Sequence, residues 1–436
     1  MKVYSTYSVK IKEYNHIFMD TVTIYRRAVD FFIAVTLQEW KDISAISGVL
    51  KRQNYIEQIT HKTKNRPTVR YDFDRLFYKF PSYLRRAAIA EAIGKVLSYQ
   101  SNLQNWERQQ KGRKPNVPQA GYVYPVMYQK EMYQRTGVYT ARVKVFIRNT
   151  WDWLDIALRK SDVDYILRHC SGRHACVPTL QKRGKNWSLD FAFEEEISLY
   201  NTPIHEQVIL AVDLGINNAC VCTTMLHDGT VAKRAFLKLS AENDCLQHAV
   251  GRIKKAQKTG ARHMPRLWAR AKGINDDIAV KTAAFILQQA IQNKVTTIVF
   301  EHLDVSKKKR GSQKQRLHLW KARYVQSMVT NKAHRNGIRV SHVNAWGTSR
   351  LAFDGSGRVE RGINGNYSIC RFQNGKIYHC DLSASYNIGA RYFIREIIKT
   401  LPEKARLDAA AKVPQLSKRI TCTLSTLISL HAVLTV

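Results

Sequence analysis

Three acids stand at the ends of short patterned runs: Asp213 in AVDLGINNAC, Glu301 in TTIVFEHLD and Asp381 in HCDLSASYNIGAR. Carboxylate oxygens are hard ligands that suit Mg²⁺. Three of them placed together repel one another unless cations fill the site. Two such ions about 3.5–4 Å apart can activate a water and stabilise the leaving oxygen of an in-line phosphodiester cleavage. The charge balance points to the same substrate class. The 436 residues carry 70 Lys and Arg against 34 Asp and Glu, a net charge of +36 that a polyanion would neutralise. The basic residues are spread along the whole chain rather than gathered beside an apolar span, so nucleic acid is the expected partner and a membrane is not.

Each run alone is a weak signal. An Asp opening a helix is most often a cap, and a Glu after a strand is commonly solvated. The force lies in the elements that must position them. VILAVDLG is a nearly continuous apolar run, which suits a strand buried on both faces. ACVCTTML, a turn at His227-Asp228-Gly229 and VAKRAFLKL follow as antiparallel strands. A basic helical region from Leu246 to Lys272 comes next, then a helix with Ile278, Ala283, Ile286, Leu287 and Ile291. VTTIVFEHL is a fourth strand, and Leu317, Trp320, Tyr324 and Met328 mark a helix closed by Gly337. IRVSHVNA is a fifth strand, and DLSASYNIGARYFIREI is a helix. The order β-β-β-α-β-α-β-α is that of the ribonuclease H-like fold. In that fold the first and fourth strands are neighbours and the last helix packs beside them, so Asp213, Glu301 and Asp381 are expected to converge.

The first half is organised differently. Residues 2–12 alternate as a strand, the stretch from Ile17 to Gln104 has helical periodicity, and KGRKPNVPQAGYVYP marks a boundary. Strand-like runs occupy Gly137 to Glu196, with a hairpin turn at Lys182 to Lys185. The fold class is therefore α+β and multidomain: a helical insert in a small β domain, then an α/β nuclease domain.

The three acidic runs resemble the RuvC motifs of TnpB-type transposon-encoded RNA-guided nucleases and of the compact type V CRISPR effectors. VDLGIN resembles the first motif, IVFEHLD the second and DLSASYNIGAR the third, where the family typically has D-x-N-A-A-x-N-I-A. The resemblance is strong from about residue 206 to 395, and Thr348-Ser349 stands where the family has T-S before a zinc ribbon. It implies a β-barrel wedge domain at 1–15 and 126–205, a helical recognition domain at 16–125 and a RuvC domain at 206–344 and 376–400. A degenerate zinc-ribbon insert at 345–375 and a tail at 401–436 complete that division. It also implies an RNA-guided DNA endonuclease with Asp213, Glu301 and Asp381 as catalytic metal ligands, and two Mg²⁺ ions for which Mn²⁺ can substitute. The partners implied are a guide RNA, from a transposon end or a CRISPR array, and target double-stranded DNA beside a short flanking motif. A guided DNA-binding repressor with little cleavage is the alternative, and a monomer is the expected state.

The ribbon departs from the family. Its first cysteine pair falls on Ala352 and Gly355, and its second keeps Cys370 but has Gln373. Cys380 and His379 do not restore the spacing, and a tetrahedral site needs four ligands. No structural zinc is expected, and GRVERGINGNY is read as a basic loop over the site. Cys170 and Cys176, with His169 and His174, lack the spacing of common zinc motifs and read as packing residues. Lys307, Lys308, Lys309 and Arg310 follow the Glu301 strand, and Arg252, Lys254 and Lys255 lie on a helix with few acids; all seven are candidate phosphate contacts. Eight scattered cysteines and an N-terminus without an apolar signal core point to a reducing cytosol, which the resemblance implies is bacterial. TCTLSTLISLHAVLTV is too short to span a bilayer and is expected to pack or to trail.

Overall fold

The computed structural model describes residues 1–13, 15–110, 112–128, 130–215, 218–303, 319–363 and 365–435. The chain forms two compact units, one of residues 2–195 and one of residues 196–436 that also takes in Met1.

The first unit runs β1 (Lys2–Lys10), α1 (Ile17–Gln38), α2 (Trp40–Ala45), α3 (Val49–Thr60), α4 (Phe73–Leu76), α5 (Ser82–Gln109), β2 (Tyr133–Arg135), β3 (Thr140–Ile147) and β4 (Thr150–Ala157). It ends with α6 (Lys160–His169), β5 (His174–Ala175), β6 (Thr179–Arg183) and β7 (Asn186–Glu196). Phe18, Val22, Tyr25, Val29 and Phe32 of α1 recur at helical spacing and are buried, as are Leu84, Ala88, Ile89, Ala92 and Val96 of α5. Phe73 stacks between Phe32 and Phe77, with centroids 4.7 and 4.6 Å away, which anchors α4 in the same core. The expected β-barrel is not closed. The strands make a four-stranded sheet of β1, β5, β6 and β7 and a separate three-stranded sheet β2-β3-β4. A single bridge, Ile11 to Leu158, links the ends of β1 and β4 among the described residues.

The second unit continues with β8 (Ile209–Asp213), β9 (Cys220–Met225), β10 (Val231–Leu237), α7 (Ser240–Lys258), α8 (Pro265–Gln292), β11 (Thr297–His302), α9 (Ala322–Arg335) and β12 (Arg339–Asn344). It closes with β13 (Glu360–Ile363), β14 (Asn366–Arg371), β15 (Ile377–His379), α10 (Cys380–Thr400), α11 (Glu403–Lys412) and α12 (Leu424–Thr435). The central sheet has the order β10-β9-β8-β11-β12, antiparallel from β8 through β10 and parallel across β8, β11 and β12. The antiparallel run of the first three strands and the pairing of the first with the fourth, β8 with β11, agree with the element order read in the sequence.

Side chains alternate across that sheet. Leu210, Val212, Ile298 and Phe300 pack with Ala283 and Ile286 of α8 and Val329 of α9. Ile209, Ala211, Val299 and Met225 pack on the opposite face with Tyr386, Ile388 and Phe393 of α10. Burial on both faces is why β8 reads as an unbroken apolar run. The approach of α10 depends on Gly389, where a Cβ would lie 2.9 Å from Met225 Sδ and 3.2 Å from Ala211 Cβ. The C-terminal stretch packs rather than trails: Leu424, Leu427 and Leu430 of α12 join the α10 core. Among the described residues no helix is long and apolar enough to cross a membrane.

Candidate active site

β8 and β11 run parallel with Val212 opposite Phe300. Asp213 and Glu301 are the next residue on each strand, so by strand alternation both face α10 with Ala211 and Val299. Asp381 is the second residue of α10. The charges of Glu301 and Asp381 both act on Asp213. Burial pushes the Asp213 carboxyl well above its usual range, the charges of Glu301 and Asp381 push it further, and Arg361 pulls against them. Burial also raises Glu301, against the Thr348 hydroxyl and the Arg391 charge, which lower it. Neither Asp213 nor Glu301 has an ion-pair partner among the described residues.

The orientation of each acid comes from neutral donors. Asn218 Nδ2 donates to Asp381 Oδ2 at 2.8 Å. The turn that carries Asn218 requires Gly215, because a Cβ there would stand 2.7 Å from the Asn218 carbonyl oxygen. Thr348 Oγ1 donates to Glu301 Oε1. Gln326 Nε2 holds the Glu301 backbone carbonyl at 2.9 Å. Arg361 is fixed by a 2.7 Å bond from Nη2 to the Ser349 carbonyl. Ile216 and Asn217 of the first motif lie outside the described residues.

The sequence expects all three carboxylates to share metal ions. Among the described residues, however, no three His, Cys, Asp or Glu side chains are arranged to hold one. Asn218 and Thr348 donate to one oxygen each of Asp381 and Glu301. The donor set still fits hard divalent ions: burial and then the charges of Glu301 and Asp381 raise a half-buried Asp213 that has no paired cation among the described residues.

The segment beside the site is not a bare loop. β13, β14 and β15 form an antiparallel sheet, so GRVERGINGNY contributes a hairpin. At the ribbon's cysteine positions, Ala352 and Cys370 pack with Phe372 and Cys380 in an apolar cluster flanked by Phe353, Val359 and Tyr378. Asp354 ties the adjoining turn through Ser356 Oγ at 2.7 Å and Asn374 Nδ2 at 3.0 Å. This apolar cluster supports the hairpin.

Lys307, Lys308, Lys309 and Arg310 lie outside the described residues. Arg252, Lys254 and Lys255 are exposed on α7. Lys254 borders a cavity of about 380 Å³ that Leu214, Gly215, Asn243, Asn275 and Trp320 also line, at the same end of β8 as Asp213. In the first unit, Cys170 is buried and, with Cys176, lines a largely apolar cavity of about 330 Å³.

Sequence reasoning missed Asn218, Gln326, Arg361, Asn387 and Arg391, and gave Thr348 only a place in a motif. For the last two a signal was present. Asn387 and Arg391 fall on α10 among residues that are otherwise apolar and buried. A polar residue at a core position needs bonding partners, and here they lie in distant loops.

The Aq_aa04 family profile matches residues 5–147, within the first unit. No curated protein matches the chain. Its structure is similar to a Cas12f1-sgRNA-target DNA complex, at 13% identity and a TM-score of 0.35 over 88% of this chain and 98% of that one. It is also similar to C2c1 of Alicyclobacillus acidoterrestris in complex with single-guide RNA, at 10% identity and 0.42, over 86% and 70%. A third is the mini-RNA-guided endonuclease CRISPR-Cas_phi3, at 9% identity and 0.42, over 88% and 92%. At these identities and scores, function is read from the site itself.

Proposed function

We propose that this chain is an RNA-guided DNA endonuclease with a single RuvC-type site formed by Asp213, Glu301 and Asp381. One observation carries the reading. The half-buried Asp213 carboxyl is pushed up by burial and then by the charges of Glu301 and Asp381, in a protein of net charge +36. Mutually repelling carboxylates are a cost that a fold retains where cations are to be bound. The three motif runs add the guide RNA and target DNA as partners.

In this reading Asp213, Glu301 and Asp381 would hold Mg²⁺, which when bound would supply activation of water and stabilisation of the leaving oxygen. The protein's own groups prepare the site. Asn218 and Thr348 aim Asp381 and Glu301. Arg361, whose charge already acts on Asp213, offers a cation toward a phosphate entering beside it. Lys254 and its neighbours on α7 would hold the strand by its backbone.

A second reading is guided DNA binding with weak cleavage. Its support is that Glu301 and Asp381 are already engaged by protein donors. One experiment separates the two. Protein purified with its RNA is given matched DNA in Mg²⁺ beside Asp213→Ala. Cleavage by the wild type alone, with equal target binding by both, supports the nuclease. Intact DNA with both proteins bound favours the repressor.

A further inference from the structure

Arg391 is a buried guanidinium, 6% exposed, that no carboxylate pairs among the described residues. Four backbone carbonyls take its N–H groups instead. Nη1 donates to Asn344 at 2.9 Å and Trp346 at 2.8 Å, Nη2 to Ile420 at 2.6 Å, and Nε to Cys422 at 3.1 Å. One side chain thus joins the loop after β12 to the segment before α12. Asn387, one turn earlier on α10, repeats the link. Its Nδ2 donates to the Thr348 and Leu351 carbonyls, both at 2.9 Å, while its Oδ1 accepts from Leu424 N at 3.3 Å. A buried guanidinium satisfied only by carbonyl dipoles is tolerated where the backbone around it is fixed, so each segment depends on the other. The C-terminal side is anchored by Leu424, Leu427 and Leu430 and by a 3.0 Å bond from Ser425 N to the Phe353 carbonyl.

Thr348 lies between these two anchors. Its single hydroxyl proton has two acceptors, Glu301 Oε1 and, at 2.9 Å, the Ala345 carbonyl. We infer that the C-terminal segment 420–424 is a working part of the acid site, with Arg391 and Asn387 as positioning residues that fix Thr348 and, through it, Glu301. An ionised Glu301 is the stronger of the two acceptors for the Thr348 proton. Were Glu301 to ligate a cation, the Ala345 carbonyl would still accept from Thr348 and no donor would be orphaned. Glu301 can therefore be held in place without being locked there. The inference rests on the reading of Asp213, Glu301 and Asp381 as metal ligands.

The test is direct Mn²⁺ binding to the full chain with its RNA, followed by the paramagnetic signal of free Mn²⁺, together with amide hydrogen exchange. Three variants are compared: Thr348→Val, Thr348→Ser and Arg391→Lys. Loss of an outer partner of a metal ligand typically weakens metal binding about 10–100-fold, and Thr348→Val is expected near the lower end of that range. Thr348→Ser restores the hydroxyl and binding within about twofold of wild type. Arg391→Lys keeps the charge but cannot span four carbonyls. It should weaken Mn²⁺ binding and speed exchange in both 344–351 and 420–424, leaving β8 and β11 protected. Thr348→Val should weaken binding without speeding exchange in 420–424. Wild-type protein that binds no Mn²⁺ overturns the metal-ligand reading and this inference together. Wild type that binds, with Thr348→Val and Arg391→Lys binding equally well, overturns this inference alone. So does Arg391→Lys exchange that rises in one segment and not the other.

Discussion

In residues 2–195 the buried acids are matched to cations, and in residues 196–436 the acids of the site are not. Glu39 accepts from Arg70 Nη1 at 2.6 Å, Tyr71 Oη at 2.7 Å and Tyr55 Oη at 3.1 Å. The Tyr71 and Arg70 bonds hold it below the usual carboxylate range. Glu57 takes Arg85 Nη2 at 2.9 Å and Arg86 Nε at 3.1 Å; burial opposes its ionisation, yet the two guanidiniums win and hold it low. Asp213 and Glu301 go the other way: burial raises both, and for Asp213 the neighbouring acids add to it. The same side-chain chemistry thus serves two ends. A carboxylate held low is fastening helices. A carboxylate pushed high destabilises the fold around it until a cation arrives.

Glu301→Gln and Glu57→Gln bring that contrast to its sharpest point. Glu301→Gln should cut the rate of target cleavage by about 10³-fold or more, with thermal stability equal to or above wild type. Glu57→Gln should do the reverse. It leaves Arg85, 7% exposed at the side chain, without its counter-charge. Removing one member of a fully buried pair costs 3–5 kcal/mol; with Arg86 open to solvent, about 2–3 kcal/mol is expected by denaturant unfolding. Cleavage per folded molecule should stay unchanged. Equal effects of the two variants on rate and stability would erase the distinction.

The pH dependence should differ in sign as well. For Asp213 the folded carboxyl is raised, so its destabilising effect is absent below the ordinary carboxylate range and grows as pH rises toward the folded value. Metal-free Asp213→Asn should therefore melt above wild type at neutral pH, by about 2–4 °C for each kcal/mol relieved, and the gap should close on acidification. Glu57 is held low, so its contribution is present above the ordinary range and lost as pH falls through its lowered value. The gap between wild type and Glu57→Gln should also narrow in acid, but with wild type starting as the more stable protein. Added Mg²⁺ should remove the Asp213→Asn advantage and leave the Glu57→Gln deficit as it was.

How far this was legible in sequence follows from the range of each interaction. β8 reads correctly because burial on both faces leaves a local signature, and Asp213 and Glu301 could be placed because each ends such a strand. The convergence of Asp381 followed from element order. Barrel closure was not legible, since alternation along β3 and β4 shows which face is buried and not whether the sheet meets itself. The hairpin of β13 and β14 was read as a loop because Arg, Asn and Gly there mask strand periodicity. Its support, the Ala352, Cys370, Phe372 and Cys380 cluster, joins residues that are not neighbours in sequence. What Asn218 and Arg391 bond to was hidden for a related reason. Their partners, Asp381 and the carbonyls of Asn344, Trp346, Ile420 and Cys422, are chosen by the fold rather than by spacing.

The smallest effect expected concerns the cations rather than the acids. Arg252, Lys254 and Lys255 share α7, and none pairs with an acid among the described residues. Lys254 alone of the three borders the cavity beside Gly215. If a bound strand passes the acid site at that end of β8, Lys254 meets its phosphates and Lys255, one residue around the helix, does not face the same way. Lys254→Gln should then lower the slope of log affinity for target DNA against log salt by about 1, with no change in sequence preference. Lys255→Gln should change the slope by less than half as much if its charge acts only through the general field. Equal slopes for the two variants would mean that α7 contributes bulk charge, and that the contrast between paired and unpaired acids has no counterpart among the basic residues.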